Sequence, residues 1–543
     1  MKTPLILSVA AAAILSVGLQ ADETTDRMEA MEAQIEALQA ELSAMKDAKT
    51  DKAAVAEDDE AAEAEDDEEG SEEEGDATDE RLTDLEEQVS AINKNTSGSH
   101  LKFGVDFRTA VDNLNYKMAG KAYNPDTMSF DGDDTQSNDA FLTNRLWLNM
   151  EWLATENMSF TGQLAYNKAY GYRSGFAGGY PGFETFDWIT NENAYDDVVR
   201  VRSAYFFYRN DTFLGASIPW TFSIGRRPST NGHLINLRDD ERPASPMGHN
   251  INVEFDGMSS KFSFEDLTGI DGMYIKFCAG RGGTNANAKF FTVSMENNNT
   301  LGTAAPYAKN DADLPDIDLG GLIFVPYDDG QYSLGTQYYY ATHLIDASVT
   351  PTPGGYVFNG MEDVGSMHAV TANFMINGIG NGWSDFLDDT VFFASGAMSI
   401  TDPKENGQGM LGSTDSKTGS SYWVGLQIPT LFTDMGRIGF EYNHGDKYWR
   451  SITYAEDTNI GSKVAARGSA YEAYYTDYLI EDVFSFQIRY TYIDYDYTGS
   501  NGFFGTATGE PLKIDDLATT NPGLASVTVD KAQDIRFYLR YRY

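Results

Sequence analysis

The stretch Gln533-Asp-Ile-Arg-Phe-Tyr-Leu-Arg-Tyr-Arg-Tyr543 ends the chain with an alternation of period two. In an extended strand Ile535, Phe537, Leu539, Tyr541 and Tyr543 share one face, and Asp534, Arg536, Arg540 and Arg542 share the other. The first face suits lipid and the second suits water. A soluble sandwich would explain the apolar face equally well. Such a chain would not usually stop on that face. Charges also recur on the second face too often for a dry core, where each unpaired one is costly, so a water-filled lumen is the simpler host.

The same design recurs upstream. Phe103, Val105 and Phe107 oppose Asp106 and Arg108, and Leu146, Leu148, Met150 and Trp152 oppose Arg145, Asn149 and Glu151. Phe484, Phe486, Ile488, Tyr490 and Tyr492 oppose Ser485, Gln487, Arg489 and Thr491. Segments of this kind, bounded by Gly, Asn and Asp clusters, place strands near 101–115, 139–153, 157–170, 197–211, 219–228, 250–265, 270–283, 318–327, 331–345, 365–378, 388–401, 419–430, 434–445, 466–478, 483–498 and 532–543. Connections alternate between tight ones such as Asp328-Asp329-Gly330 and long polar ones such as 116–138, 171–196, 284–317 and 499–531. The expected fold is therefore all-β, a transmembrane antiparallel β-barrel of sixteen strands over residues 98–543. Its tight turns and both barrel ends are expected in the periplasm of a Gram-negative cell, and its long loops outside. Eight strands would be filled by side chains, whereas sixteen leave room for an aqueous channel.

The residues before the barrel set the compartment. Lys2 followed by the apolar run Leu5–Leu19 is too short to span a bilayer as a mature helix and reads as a secretory signal over 1–21. Cleavage after Gly18 and after Ala21 both fit. Met28, Met31, Ile35, Leu38, Leu42 and Met45 form an a/d seam, so a short α-helical coiled coil is expected over 22–50. Residues 51–80 are mostly Asp, Glu, Ala and Gly and are expected to be a disordered linker. Leu82, Leu85, Val89 and Ile92 mark a second short helix over 81–97. Asp22–Gly98 holds 28 acidic and 6 basic residues, a net of −22 and half of the chain's −44. Without clustered Lys and Arg, nucleic acid is excluded as a partner. Cys278 stands alone, which rules out an intramolecular disulfide and any cysteine-rich metal centre. No cofactor or metal is expected.

The third long connection, His233 to His249, is the most charge-dense part of the barrel, with Arg238, Asp239, Asp240, Glu241 and Arg242. Arg200, Arg202 and Arg227 fall on the lumen parity of the strands before it. This resembles, in position and composition, the third outer loop of general diffusion porins, which sets acidic groups against an arginine row. The resemblance implies a transverse field that passes small polar solutes. Arg108, Arg145, Arg489, Arg536, Arg540 and Arg542 join the expected pore lining. Wall arginines favour anions and acidic loops favour cations, so the sign of selectivity stays open. Asp131, Asp133, Asp134 and Asp139 lack the spacing of a calcium loop and read as a solvated loop. Neither a G-x-S-x-G elbow nor an H-E-x-x-H helix contains any of His100, His233, His249, His343, His368 and His444, and no enzymatic activity is expected.

The terminal aromatic resembles the family-wide signal by which outer-membrane barrels are recognised for insertion. Phe141-Leu-Thr-Asn-Arg-Leu-Trp-Leu-Asn-Met, Gly225-Arg-Arg-Pro-Ser-Thr-Asn-Gly, Asn252-Val-Glu-Phe-Asp-Gly and Val325-Pro-Tyr-Asp-Asp-Gly-Gln-Tyr resemble an uncharacterised outer-membrane family known as domain of unknown function 3373. That resemblance implies a barrel and supplies no substrate. The order of coiled coil then barrel also looks like phosphate-selective porins, in architecture alone. Together these features point to a porin-like channel for small polar solutes or ions in the cell outer membrane. Its expected neighbours are lipid, lipopolysaccharide and two further copies in a homotrimer. The alternative is a non-conducting scaffold barrel that anchors partners through its outer loops and its periplasmic coiled coil.

Overall fold

The computed structural model describes residues 102–171, 198–286, 293–294, 302–303, 307–309, 314–352, 355–380, 382–454 and 456–543. The expected signal, coiled coil, acidic linker and second helix lie outside them. Sixteen strands form the barrel: β1 (Lys102–Met118), β2 (Thr135–Thr155), β3 (Met158–Ala169), β4 (Arg200–Asn210), β5 (Trp220–Ser229), β6 (Ile251–Ser263), β7 (Tyr274–Gly283), β8 (Ile317–Asp328), β9 (Tyr332–Thr352), β10 (Gly355–Asn377), β11 (Val391–Pro403), β12 (Thr418–Pro429), β13 (Arg437–Gly445), β14 (Gly468–Ile480), β15 (Phe484–Tyr495) and β16 (Val529–Arg542). Each pairs with its chain neighbours, and β1 pairs antiparallel with both β2 and β16, so the sheet closes without an edge. Closure is what lipid demands, since an unpaired N–H or C=O has no water to bond there.

The alternation seen in the sequence decides which side of the wall each residue takes. On β16, Ile535, Phe537 and Tyr541 are exposed, while Asp534, Arg536, Tyr538 and Arg540 are at most 3% exposed. Phe103, Leu142, Ile224, Phe277, Phe440 and Ile488 likewise face outward. Near the rim of long connections, Tyr422, Tyr442, Tyr471 and Tyr492 run across four adjacent strands with ring centroids 5.8, 4.9 and 6.3 Å apart. Near the other rim Phe213 packs edge-on against Trp220 and Phe262 at 5.6 and 5.0 Å. An apolar exterior with aromatics at both rims is that of an outer-membrane barrel. Among the described residues no helix is long and apolar enough to cross a membrane.

This exterior makes a direct prediction. Phe537→Arg puts a guanidinium on the lipid face of the terminal strand, and a cost of about 2–4 kcal/mol is expected there. Urea titration of the barrel in lipid vesicles measures it; a change under about 0.5 kcal/mol, the usual surface effect, would mean that this face does not meet lipid.

Three strands differ from expectation. The segment 346–364, expected as a loop, instead continues β9 and β10 as a paired ribbon whose last pair is Thr352 with Gly355. Pro351 and the Gly-rich turn had suggested a loop, but the β-branched Val349, Thr350 and Val357 keep the ladder going. On β4 both Arg202 and Ser203 are buried, opposite a register shift at Gln163/Leu164, so the lumen parity slips by one residue. Arg200 and Arg202 stay on the lumen side as the sequence indicated, and beyond the slip Tyr205 rather than Ala204 joins them.

The core lies inside the barrel. Long connections turn inward and bring apolar residues with them: Leu234 and Ile235 from the third, Ile452 and Val464 from the seventh, Phe503, Phe504 and Leu517 from the eighth. Leu234, Ile235 and Val464 form one island with the wall residues Phe393 and Trp423. The seventh connection also pairs with the start of β6, Ile452 and Thr453 running parallel to Ile251 and Asn252.

Candidate functional site

Strand register creates an arrangement that alternation alone does not reveal. Arg108 on β1 stands directly across from Arg145 on β2 and from Arg540 on β16. Arg536 on β16 stands across from Arg489 on β15 and from Asp112 on β1. Five arginines on four adjacent strands therefore share one patch of wall, each at most 6% exposed. Like charges opposite one another are destabilising, so anions must lie among them.

The third connection supplies some. Its short helix α1 (Ile235–Asp239) ends on Asp240 in the left-handed conformation, which turns the chain back along the wall. Arg540 donates to Asp106 through Nε at 2.9 Å, to Glu241 through Nη2 at 2.9 Å, and to the Asp239 carbonyl through Nη1 at 2.8 Å. Arg145 lies 3.5 Å from Asp106 and 4.0 Å from Glu241, with its guanidinium 3.6 Å from the centre of the Trp147 ring. Arg238 is fully buried, donates to Asp239 at 2.8 Å and approaches Glu472 at 3.5 Å. Arg542 donates to the Asp240 carbonyl at 2.9 Å, and Tyr478 donates to the Asp240 carboxylate. Wall amides from Gln427 and Gln487 hold the carbonyls of Leu237 and Arg238 at 3.1 and 2.8 Å.

The seventh connection supplies the rest, and the sequence did not single it out. Asp457 accepts a bidentate pair from Arg108 at 2.5 and 2.6 Å, with Arg536 at 3.3 Å and Arg489 at 3.8 Å. Burial alone would push its carboxyl up, but the guanidiniums of Arg108 and Arg536 outweigh burial and hold this loop carboxylate well below its usual range. Lys463 donates to Glu441 at 2.6 Å and also to Glu472. Glu456 accepts from Ser462 at 2.5 Å and from Thr453 at 3.2 Å. A faint signal for this loop did exist: Ile452, Ile460 and Val464 are apolar residues in an otherwise polar outer connection.

Not all the expected residues join this cluster. Arg242 is exposed. Arg202 sits by Glu254 at 3.5 Å, and Arg227 donates to Ser223 at 2.5 Å and also to Ser259. Arg202 also lies 4.4 Å from the Trp147 ring that Arg145 covers, whereas Arg227 lies over the Tyr205 ring at 4.8 Å. The aqueous lumen anticipated from strand number is occupied at the arginine patch, because two loops of more than twenty residues fold into it. Cavities remain elsewhere. One of about 1080 Å³ is lined by Tyr495, Tyr497, Asn501, Thr508 and Gln408, and one of about 270 Å³ by His233, Lys261, Lys276 and Met375. Neither is lined by Arg108, Asp457, Arg489 or Arg536.

Comparison with known proteins gives a family and a set of distant structural neighbours. Residues 135–543 match the family model described as "Protein of unknown function (DUF3373)". No curated protein matches the chain. Among solved structures, OmpT, an outer membrane protein of Vibrio cholerae, matches at TM-score 0.41 and 11% identity, covering 82% of this chain and 99% of that one. OprB of Pseudomonas putida matches at TM-score 0.41 and 13% identity over 83% and 96%. An anion-selective porin from Comamonas acidovorans matches at TM-score 0.41 and 10% identity over 82% and 99%.

Proposed function

This chain belongs to that family of proteins of unknown function (DUF3373), and from its lumen we propose that it is an outer-membrane channel for small polar solutes or ions. The observation that supports this is the cluster of paired charges that the barrel interior holds beside its apolar islands. Replacing a buried ion cluster by apolar residues of similar volume is often neutral or stabilising. A barrel that served only as an anchor would gain nothing from Arg108, Arg145, Arg489, Arg536 and Arg540 along its inner wall. A path for polar solutes needs them, and the third loop, with Arg238, Asp239, Asp240 and Glu241, marks the constriction. Arg200, Arg202, Arg227, Arg242 and Arg542 line the same path away from its narrowest point. Three copies packed through their walls, lipopolysaccharide at the outer loops, and an N-terminal arm in the periplasm complete the proposal.

Full-length protein in a planar bilayer is expected to give stepwise conductance. Protein that shows the heat-modifiable gel shift of a folded barrel yet never conducts would overturn the channel reading. One observation favours that outcome and the scaffold reading with it: the five clustered wall arginines are at most 6% exposed, so loops fill the lumen along that stretch of wall. Under the channel reading, conduction therefore requires an inward loop to move.

A further inference from the structure

We infer that Asp457 occupies an anion site of the lumen wall, built by Arg108, Arg489 and Arg536, and that a small carboxylate takes its place when the seventh loop withdraws. This rests on the channel reading and names both the moving element and the class of solute.

Four observations carry it. First, guanidiniums from three strands converge on one carboxylate, with Arg108 bidentate at 2.5 and 2.6 Å. Arg489 and Arg536 also donate to the Asp457 backbone carbonyl, at 2.6 and 2.8 Å. Planar forks in this arrangement fit a two-oxygen anion better than a spherical one.

Second, the anion and its hosts belong to parts that can separate. The arginines are fixed by the ladders of β1, β15 and β16, whereas Asp457 sits on a connection whose only ladder among the described residues is the two-residue bridge to Ile251 and Asn252.

Third, the wall has donors to spare. Arg489 Nε and Nη1 and Arg145 Nε and Nη2 are buried and donate no hydrogen bond. A free anion, which can shift within the site, can reach donors that a tethered carboxylate cannot.

Fourth, the nearby wall carboxylates are already engaged, only Asp112 with an arginine of the site itself. Asp112 accepts from Arg536 at 2.5 Å, Asp106 accepts from Arg540, and Glu472 accepts from Lys463. Asp534, two residues before Arg536, is the remaining negative charge, and neither of its oxygens accepts a hydrogen bond. With Asp457 withdrawn, Arg108 would lose its bidentate partner, Arg536 would keep Asp112 alone, and Arg489 would keep only Glu472 at 4.0 Å. Leaving them so is expensive, and an incoming carboxylate removes that cost.

The test uses full-length protein in planar bilayers, with Asp457→Asn as the closest neutral replacement. The ratio of chloride to potassium permeability, read from the reversal potential in a salt gradient, is expected to rise about five-fold or more. Sodium acetate, which carries the same group as the aspartate side chain, is expected to reduce the chloride current of Asp457→Asn. Adding Arg536→Gln should cancel both effects. A second variant, with residues 447–466 replaced by a short Gly-Ser linker, should behave like Asp457→Asn. Variants that conduct with an unchanged permeability ratio, or that ignore acetate, would overturn this inference and leave the channel reading intact. Folded variants that never conduct would overturn the channel reading itself. If neither variant reaches the heat-modifiable form, the seventh loop is a fixed part of the wall and the inference fails.

Discussion

Arg540→Met is expected to destabilise the barrel by about 3–5 kcal/mol, the cost of removing one partner from a buried charge cluster. Methionine occupies much of the arginine's volume, so the loss is electrostatic and not one of packing. It would leave Asp106 with Arg145 at 3.5 Å as its remaining cation, and Glu241 with the same arginine at 4.0 Å. It would also release the Asp239 carbonyl, which Arg540 holds at 2.8 Å, and so free the end of α1 from the wall. The urea midpoint in lipid vesicles, with the slope checked for two-state behaviour, gives the number. Adding Asp106→Leu to Arg540→Met should recover part of the loss, because it removes the stranded charge. A loss under about 1 kcal/mol, the value of an exposed ion pair, would mean that water reaches the cluster and that the lumen is more open than its burial indicates.

The wall was legible in the sequence and its contents were not. Period-two alternation placed Ile535 and Phe537 outside and Arg536 and Arg540 inside because a strand side chain has only two sides to choose from. The count of sixteen strands followed from the same pattern, and the inward third loop from its resemblance in position and composition to the third outer loop of diffusion porins. Register is different: no local signal says that Arg108 lies across from both Arg145 and Arg540, since that depends on how far each strand slides along its neighbour. The entry of the seventh loop was hidden for a related reason. Asp457 is one acid in a polar connection, and its partners Arg108, Arg489 and Arg536 come from both ends of the barrel sequence. Only closure of β1 onto β16 brings them together. The parity slip at Ser203 belongs to the same class, because a bulge is set by the partner strand as much as by its own residues. The ribbon of β9 and β10 shows the reverse, where Pro351 and nearby glycines suggested a loop that cross-strand pairing overrode.

Trp423→Ala is expected to cost about 3–5 kcal/mol as a large-to-small change in a close-packed interior, and to release both inward loops. The indole is fully buried on β12, its Nε1–H donates to Glu441 at 3.0 Å, and its ring meets Phe393 edge-on at 5.1 Å and His249 at 5.7 Å. Leu234 and Ile235 from the third loop and Val464 from the seventh close the same island. One side chain thus anchors both loops to the wall, while their charges set where they point. Trp423→Phe keeps most of the apolar contact and loses the bond to Glu441, so about 1 kcal/mol is expected from it. Trypsin separates anchoring from simple loss of stability. In the parent protein Arg238 and Lys463 are buried, and the exposed Arg242 precedes Pro243, so trypsin has no open site at these positions. Under conditions where Trp423→Ala is still folded by its gel shift, cleavage after Arg238 and Lys463 should appear. If those bonds stay protected while stability falls, the loops are held by their ion pairs alone. The apolar island would then be a filler of the lumen and not the hinge on which its opening depends.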